Sequence, residues 1–265
     1  MAGMPTFAED LAVALRLADA ADGITRARFL ASDLVVDRKP DRTPVTDADT
    51  AVEDAVRAVL AQRRPDDEIL GEERGGTIGA GRTWVLDPID GTKNFLRGVP
   101  AWATLIALVD GGVPVVGVVS APALGRRWWA SAGEGAWVAA EGAVAPRRLR
   151  VSAVGQLADA YLSTTDLNAW TTYHSRERYL ALVESCWESR AFGDFWQYCL
   201  VAEGALDIGV DPIANAWDLA AVQVLVTEAG GRFSDVDGKA GFDHGSGIAT
   251  NGALHDAALA VLRRT

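Results

Sequence analysis

The run Trp84-Val-Leu-Asp-Pro-Ile-Asp-Gly-Thr92 constrains this chain more than any other stretch. Its apolar start reads as a short buried strand, and its end delivers Asp87 and Asp90 around a rigid proline turn. Hard divalent cations such as Mg²⁺ take oxygen ligands, usually one or two carboxylates completed by water and a substrate phosphate. Gly91 lets backbone approach a ligand closely. The N–H groups of Gly91 and Thr92 are therefore candidates to hold phosphate oxygens, above all if a helix opens there. Taken alone, Asp-x-x-Asp-Gly also fits an ordinary acidic turn in which aspartates cap and glycine relaxes the backbone.

Three further acidic segments bear on that choice. Glu72 and Glu73 follow the apolar pair Ile69-Leu70, at what reads as a strand end, where neighbouring side chains point to opposite faces and only one ligates directly. Solvated loop charge is the plain alternative. Asp47 and Asp49 precede a helix that runs through Val52, Val56, Val59 and Leu60 to a stop at Pro65, so N-capping competes with a site role. Asp218 stands at the mouth of a helix over 217–229, closed by Gly230-Gly231, where capping is again the default. Capping and ligation are compatible, because a carboxylate has two oxygens.

Elsewhere the pattern is mixed. Spacings of three and four predict helices over 7–30, 175–189, 195–205 and 254–263. A polar break spans 37–44, and the glycine-rich stretch 71–83 reads as a mobile loop. Residues 102–120 read as two strands joined at Asp110-Gly-Gly112, with more short strands to about 153 and others at 206–210 and near 231–234. The rhythm changes near residue 150, which predicts one catalytic domain over 1–265 with subdomains of about 1–150 and 151–265. A net charge of −11 argues against broad nucleic-acid binding, which needs a basic surface. The sequence has no apolar run long enough for a membrane helix, and its acid-bearing N-terminus does not read as a secretion signal. Cys186 and Cys199 make no disulfide framework, so a cytoplasmic enzyme is expected. His174, His244 and His255 lack zinc spacing, and the serine-hydrolase elbow, Walker loop and dinucleotide loop are all missing. Adjacent Trp128 and Trp129 face opposite ways on a strand, one toward the core and one toward the surface or an interface.

The segments Val45-Thr-Asp-Ala-Asp-Thr-Ala-Val-Glu53, Gly71-Glu-Glu73, Trp84–Phe95, Trp217-Asp-Leu-Ala-Ala221 and Glu228-Ala-Gly-Gly231 resemble, in order and spacing, the signatures of the inositol-monophosphatase superfamily. Ala249-Thr-Asn-Gly-Ala-Leu-His255 is similar to that family's closing segment, so the resemblance covers nearly the whole chain. It implies layered α and β structure, the five-layered αβαβα sandwich of the sugar phosphatases. It also implies a phosphate monoesterase with two or three Mg²⁺ ions, Mn²⁺ as a substitute and Li⁺ as an inhibitor. Glu72, Asp87 and the Ile89 carbonyl would bind the first ion, and Asp87, Asp90 and Asp218 the second. Glu73 would support these ligands, Asp49 with Thr92 would orient the attacking water, and Gly91 and Thr92 would hold the phosphate. Glu72, Glu73, Asp49 and Thr92 are thus the implied catalytic residues. Members are commonly homodimers, and the partner expected here is a small phosphate ester, with no membrane and no nucleic acid.

Many inositol phosphatases carry glycine and then a small residue where this chain has Gly193-Asp194-Phe195, which puts inositol phosphate in doubt. Asp194 adds a carboxylate, although capping of the next helix would also explain it. Asp211 aligns with an acidic position that touches substrate hydroxyls in the family. With Asp90, Gly91, Thr92 and Asp218, these two complete the implied substrate-binding set, and two acids in one pocket suit an ammonium or imidazolium group. The whole sequence looks most like the histidinol-phosphatase branch of the superfamily, with inositol 1-phosphate or broad specificity as the alternative. A non-catalytic magnesium-binding or regulatory protein is the reading from another class. A water-orienting pair has no use there.

Overall fold

The computed structural model describes residues 7–40 and 43–263. The start of the acid-bearing N-terminal stretch and Asp41-Arg42 of the polar break lie outside the described residues. The first part of the chain forms α1 (Ala8–Arg28), β1 (Val36–Arg38), β2 (Pro44–Thr46), α2 (Asp47–Arg63), β3 (Glu68–Gly71), β4 (Arg82–Asp90), α3 (Thr92–Leu96), β5 (Ala103–Asp110), β6 (Val113–Ala121), β7 (Arg126–Ser131), β8 (Gly135–Ala140) and β9 (Arg147–Arg148). The remainder forms β10 (Tyr161–Ser163), α4 (Leu167–Tyr173), α5 (Arg176–Ser185), β11 (Glu188–Arg190), α6 (Asp194–Glu203), β12 (Ile208–Asp211), α7 (Ala216–Glu228), β13 (Arg232–Ser234), β14 (Gly247–Thr250) and α8 (His255–Leu262).

Strand periodicity decides the layers. Along β5, Leu105, Ala107 and Val109 face α6 and α7, while Ile106 and Leu108 face α1 and α2. Both faces are buried, so β5 and β6 read as continuous apolar runs rather than alternating ones. The seven-stranded sheet runs β3 to β9 in chain order, antiparallel except for the parallel pair β3–β4. A five-stranded sheet, ordered β11-β10-β12-β14-β13, packs one face against α4, α5 and α8. Its Phe233 and Ala249 join α6 and α7 on the other face. The result is five alternating layers of helix and sheet. Helix α7 is apolar all round because it lies between two sheets.

The hairpin β1–β2, helix α4 and strands β10 and β14 have no counterpart in the periodicity. All are short, and a three-residue strand shows no repeat to read. The helix expected over 175–189 stops at Ser185, so that its last residues enter β11 instead.

One irregularity shapes the site. Asp87 and Asp90 are an odd number of residues apart, so on a regular strand they would face opposite ways. The β4–β5 register shifts between them: Asp87 pairs with Leu105, but Asp90 pairs with Ala103. Three residues on one strand therefore oppose two on the other, a bulge that turns both carboxylates to one side. Pro88, which lacks a ladder N–H, lies in the bulge, and its carbonyl accepts from Thr104 Oγ1 at 2.7 Å. The Ile89 side chain anchors the turn among Phe95, Trp102 and Ala48.

Candidate active site

Parallel pairing brings the next acids alongside. The Glu72 N–H donates to the Leu86 carbonyl at 3.2 Å, which sets Glu72 beside Asp87. The expectation that Glu72 and Glu73 point to opposite faces fails, because β3 ends at Gly71 and both glutamates stand in a turn. Their carboxylates converge on the Lys39 ammonium, each 2.7 Å away. Burial pulls the Lys39 pKa down, and its bonds to the two glutamates more than reverse this, so it ends raised. Burial and the Glu72 charge push Glu73 up, against the pull of Lys39.

Asp87, Asp90 and Asp218 each offer an oxygen within 4.8 Å of the others. Among the described residues this is the one converging group of metal-ligating side chains, and no histidine joins it. Burial raises Asp87 well above the ordinary carboxylate range, and the charges of Glu72, Asp90 and Asp218 add to it. Asp90 is raised by burial and by Asp194 and Asp218. Asp218 is pushed up to about 7 by burial, against the Asn215 N–H that donates to it at 2.7 Å. Asp49 also reaches about 7 through burial, with the charges of Glu73 and Glu72 behind it. Its Oδ2 accepts from the Thr46 N–H, completing a capping box. Its Oδ1, like Asp87 Oδ1, is buried with no hydrogen-bond partner among the described residues. Crowded hard oxygens with orphaned lone pairs fit a divalent cation. Capping and a site role thus fall on different oxygens of Asp49.

Gly91 adopts φ +83° and opens α3, and a Cβ there would stand 2.9 Å from the Ala101 carbonyl, so only glycine fits. Thr92 Oγ1 donates at 3.0 Å to the Ile89 carbonyl, the oxygen expected to be a metal ligand. Asp90 Oδ2 accepts from the Phe195 N–H at 2.6 Å and so caps α6. Asp194 does not: no side chain of its own segment caps that helix. Asp194 lies at φ +46°, rare for a residue with a Cβ. It is held by its N–H to Thr165 Oγ1 at 2.8 Å and by Asn94 Nδ2 on its Oδ2 at 3.2 Å. Burial and the Asp211 charge raise its pKa to about 6, with Lys93 opposing.

A cavity of about 420 Å³ opens from Asp90 and Asp218 toward Asp166, Asp194, Tyr173 and Ile213. Asp211 forms part of its wall, but its carboxylate accepts from Thr164 Oγ1, from the Thr165 N–H and Oγ1, from Gln197 and from the Tyr198 hydroxyl. Those donors fill its lone-pair directions.

A model described as the inositol monophosphatase family matches residues 8–265. The chain belongs to that family. It is 58% identical over 252 residues to the histidinol-phosphatase of Mycobacterium tuberculosis, covering 95% of this chain and 96% of the relative. The histidinol-phosphatase of Streptomyces coelicolor is 48% identical over 265 residues, covering 98% and 99%. A solved inositol monophosphatase from Zymomonas mobilis aligns with a TM-score of 0.85 at 33% identity, over 98% of this chain and all of that one. The five layers are those of the inositol monophosphatase fold, and membership makes the acidic trio a candidate centre of a metal-dependent phosphatase.

Within this inositol monophosphatase family member, sequence reasoning missed Lys39, Glu53, Lys93 and Asn94. Lys39 carries no pattern, since an isolated lysine in a polar stretch reads as solvated charge, while Lys93 and Asn94 stand inside the Trp84–Phe95 signature with no role attached to them. Lys93 lines both the 420 Å³ cavity and the adjoining 550 Å³ cleft that holds Glu72 and Asp87. It is the one basic side chain among the described residues lining them. Glu53 had a signal, since it follows Asp49 by one helical turn.

Proposed function

We propose that the chain hydrolyses L-histidinol phosphate to L-histidinol and phosphate, with Mg²⁺ held by its carboxylates. Near end-to-end similarity to two histidinol-phosphatases carries this reading, and the acidic cavity beside the trio suits the substrate's amine and imidazole. Glu72, Asp87 and the Ile89 carbonyl would hold one ion, and Asp87, Asp90 and Asp218 another. Mg²⁺ there supplies charge to offset that of the phosphate and Lewis acidity toward water and the leaving oxygen. Mn²⁺ would substitute and Li⁺ would inhibit.

The chain's own groups do the positioning on which phosphoryl transfer mainly depends. The N–H groups of Gly91 and Thr92 hold phosphate oxygens. Asp49, through its unpaired Oδ1, and the Thr92 hydroxyl orient a water in line with the ester bond, while Glu73 steadies that arrangement. Water adds to phosphorus, the bond to the ester oxygen breaks, and the alcohol leaves as that oxygen takes up a proton. Asp194 receives the substrate's ammonium group. Asp211, expected to touch substrate, acts instead through Thr165, which it bonds and which in turn accepts from the Asp194 N–H. Exposed aromatic surface such as Trp187, 69% exposed, suits a homodimer contact, and the composition suits the cytoplasm. Among the described residues no helix is long and apolar enough to cross a membrane.

The test is kcat/KM with Mg²⁺ for L-histidinol phosphate against inositol 1-phosphate and fructose 1,6-bisphosphate. We expect a preference of at least ~100-fold for histidinol phosphate, about 2.7 kcal/mol of transition-state discrimination. A flat profile or a preference for inositol phosphate would overturn the substrate and leave the phosphatase. No Mg²⁺-dependent phosphate release from any of the three would sink the enzyme reading.

A further inference from the structure

We propose that Glu53 and Arg57 of α2 are positioning residues that set the turn carrying Glu72 and Glu73, and with it the affinity of the site for Mg²⁺. The proposal rests on the metal-site reading above but not on the identity of the substrate. Asp49, Glu53 and Arg57 recur every four residues, so they share one face of α2. Val52, Val56 and Leu60 take the face toward the core.

Glu53 is fully buried. A buried carboxylate is costly unless it is paired and hydrogen-bonded, and this one is bonded entirely to the 71–75 turn and to Arg57. Its Oε2 accepts from the Glu73 N–H at 2.8 Å, and its Oε1 from the Arg74 N–H at 3.0 Å. Arg57 closes the bracket: Nε donates to Glu53 Oε1 at 2.9 Å, and a terminal nitrogen donates to the Gly75 carbonyl at 2.6 Å. Gly71 completes the fit, because a Cβ there would stand 2.2 Å from Glu53 Oε1. The backbone of the turn is thus fixed from below while its two glutamates reach Lys39 above. The same helix fixes Asp49 one turn earlier, so the water-orienting group and the glutamates share one rigid support.

Mg²⁺ demands near-ideal octahedral geometry, so a loosened ligand turn costs affinity. The experiment is calorimetric titration of the full chain with Mg²⁺ alone, well below each variant's melting temperature. Glu53→Gln keeps the shape but presents a donor where an acceptor is needed. Arg57→Lys is the milder variant, in case Glu53→Gln fails to fold. We expect Mg²⁺ to bind at least ~10-fold more weakly to Glu53→Gln and ~3-fold more weakly to Arg57→Lys, with turnover recovered at excess Mg²⁺. Asp54→Asn breaks an exposed pair with Arg74 of the same turn and should change nothing. Lowered melting temperatures with unchanged Mg²⁺ affinity in both variants would make the pair merely structural and overturn the proposal. A wild-type chain that binds no Mg²⁺ would overturn it together with the site. Mg²⁺ binding without turnover of histidinol phosphate would leave it standing.

Discussion

Two buried acidic regions of this protein are built on opposite terms. Glu203, at the C-terminal end of α6, accepts from Arg126 at 2.9 Å, Arg147 at 2.6 Å and the Trp128 indole at 2.8 Å. Asp90, at the other end of the same helix, shares its space with Asp87 and Asp218 and has no basic partner among the described ion pairs. A carboxylate near a helix C-terminus is unfavourable and needs its cations. One near the N-terminus is favoured by the helix but here meets two more of its kind. The chain itself supplies the cations of Glu203, and it supplies none to the trio among the described ion pairs.

The contrast can be broken by experiment. Asp90→Asn keeps an acceptor for the Phe195 N–H but removes a charge from the trio, so turnover should fall ~10²–10³-fold or more with the melting temperature unchanged or raised. Near-normal activity would remove Asp90 from its assigned role. Glu203→Ala should do the reverse, costing about 3 kcal/mol in urea unfolding through the stranded indole and arginines, with activity per folded molecule unchanged. Lost activity at full stability would erase the distinction between the regions.

The third test uses pH to sharpen it. Asp87, Asp90 and Asp218 all have folded pKa values raised above the unfolded value, Asp218 to about 7. At these three sites the metal-free fold therefore binds more protons than the unfolded chain. Their contribution to stability is fully present below the ordinary carboxylate pKa of about 4 and is lost as pH rises through their raised folded values, about 7 for Asp218. Saturating Mg²⁺ should then raise the melting temperature by roughly 5–10 °C at pH 8 and by much less at pH 5. An equal rise at both would mean that Mg²⁺ does not bind these carboxylates.

Much of this was legible in the sequence, and the reasons differ by residue. The long helices and the β5–β6 hairpin announce themselves by period and by Asp110-Gly-Gly112. Asp87 and Asp90 were readable as a pair, but their common side depends on a register shift in pairing with β5, which only Pro88 hints at. Glu72 and Glu73 misled because alternation holds inside a strand and the strand stops one residue earlier. Asp211 shows in sequence as a carboxylate but not with the donors that engage it. Thr165, Gln197 and Tyr198 reach it from 13 to 46 residues away.

The bond from the Phe195 N–H to Asp90 spans 105 residues. On a ribosome the N-terminal part of the chain emerges and folds first. The bulge carrying Asp87 and Asp90 is then complete before α6 and Asp218 exist. A growing chain thus lacks the acidic trio until Asp218 has been made, and cutting it short before that residue removes one of the three carboxylates.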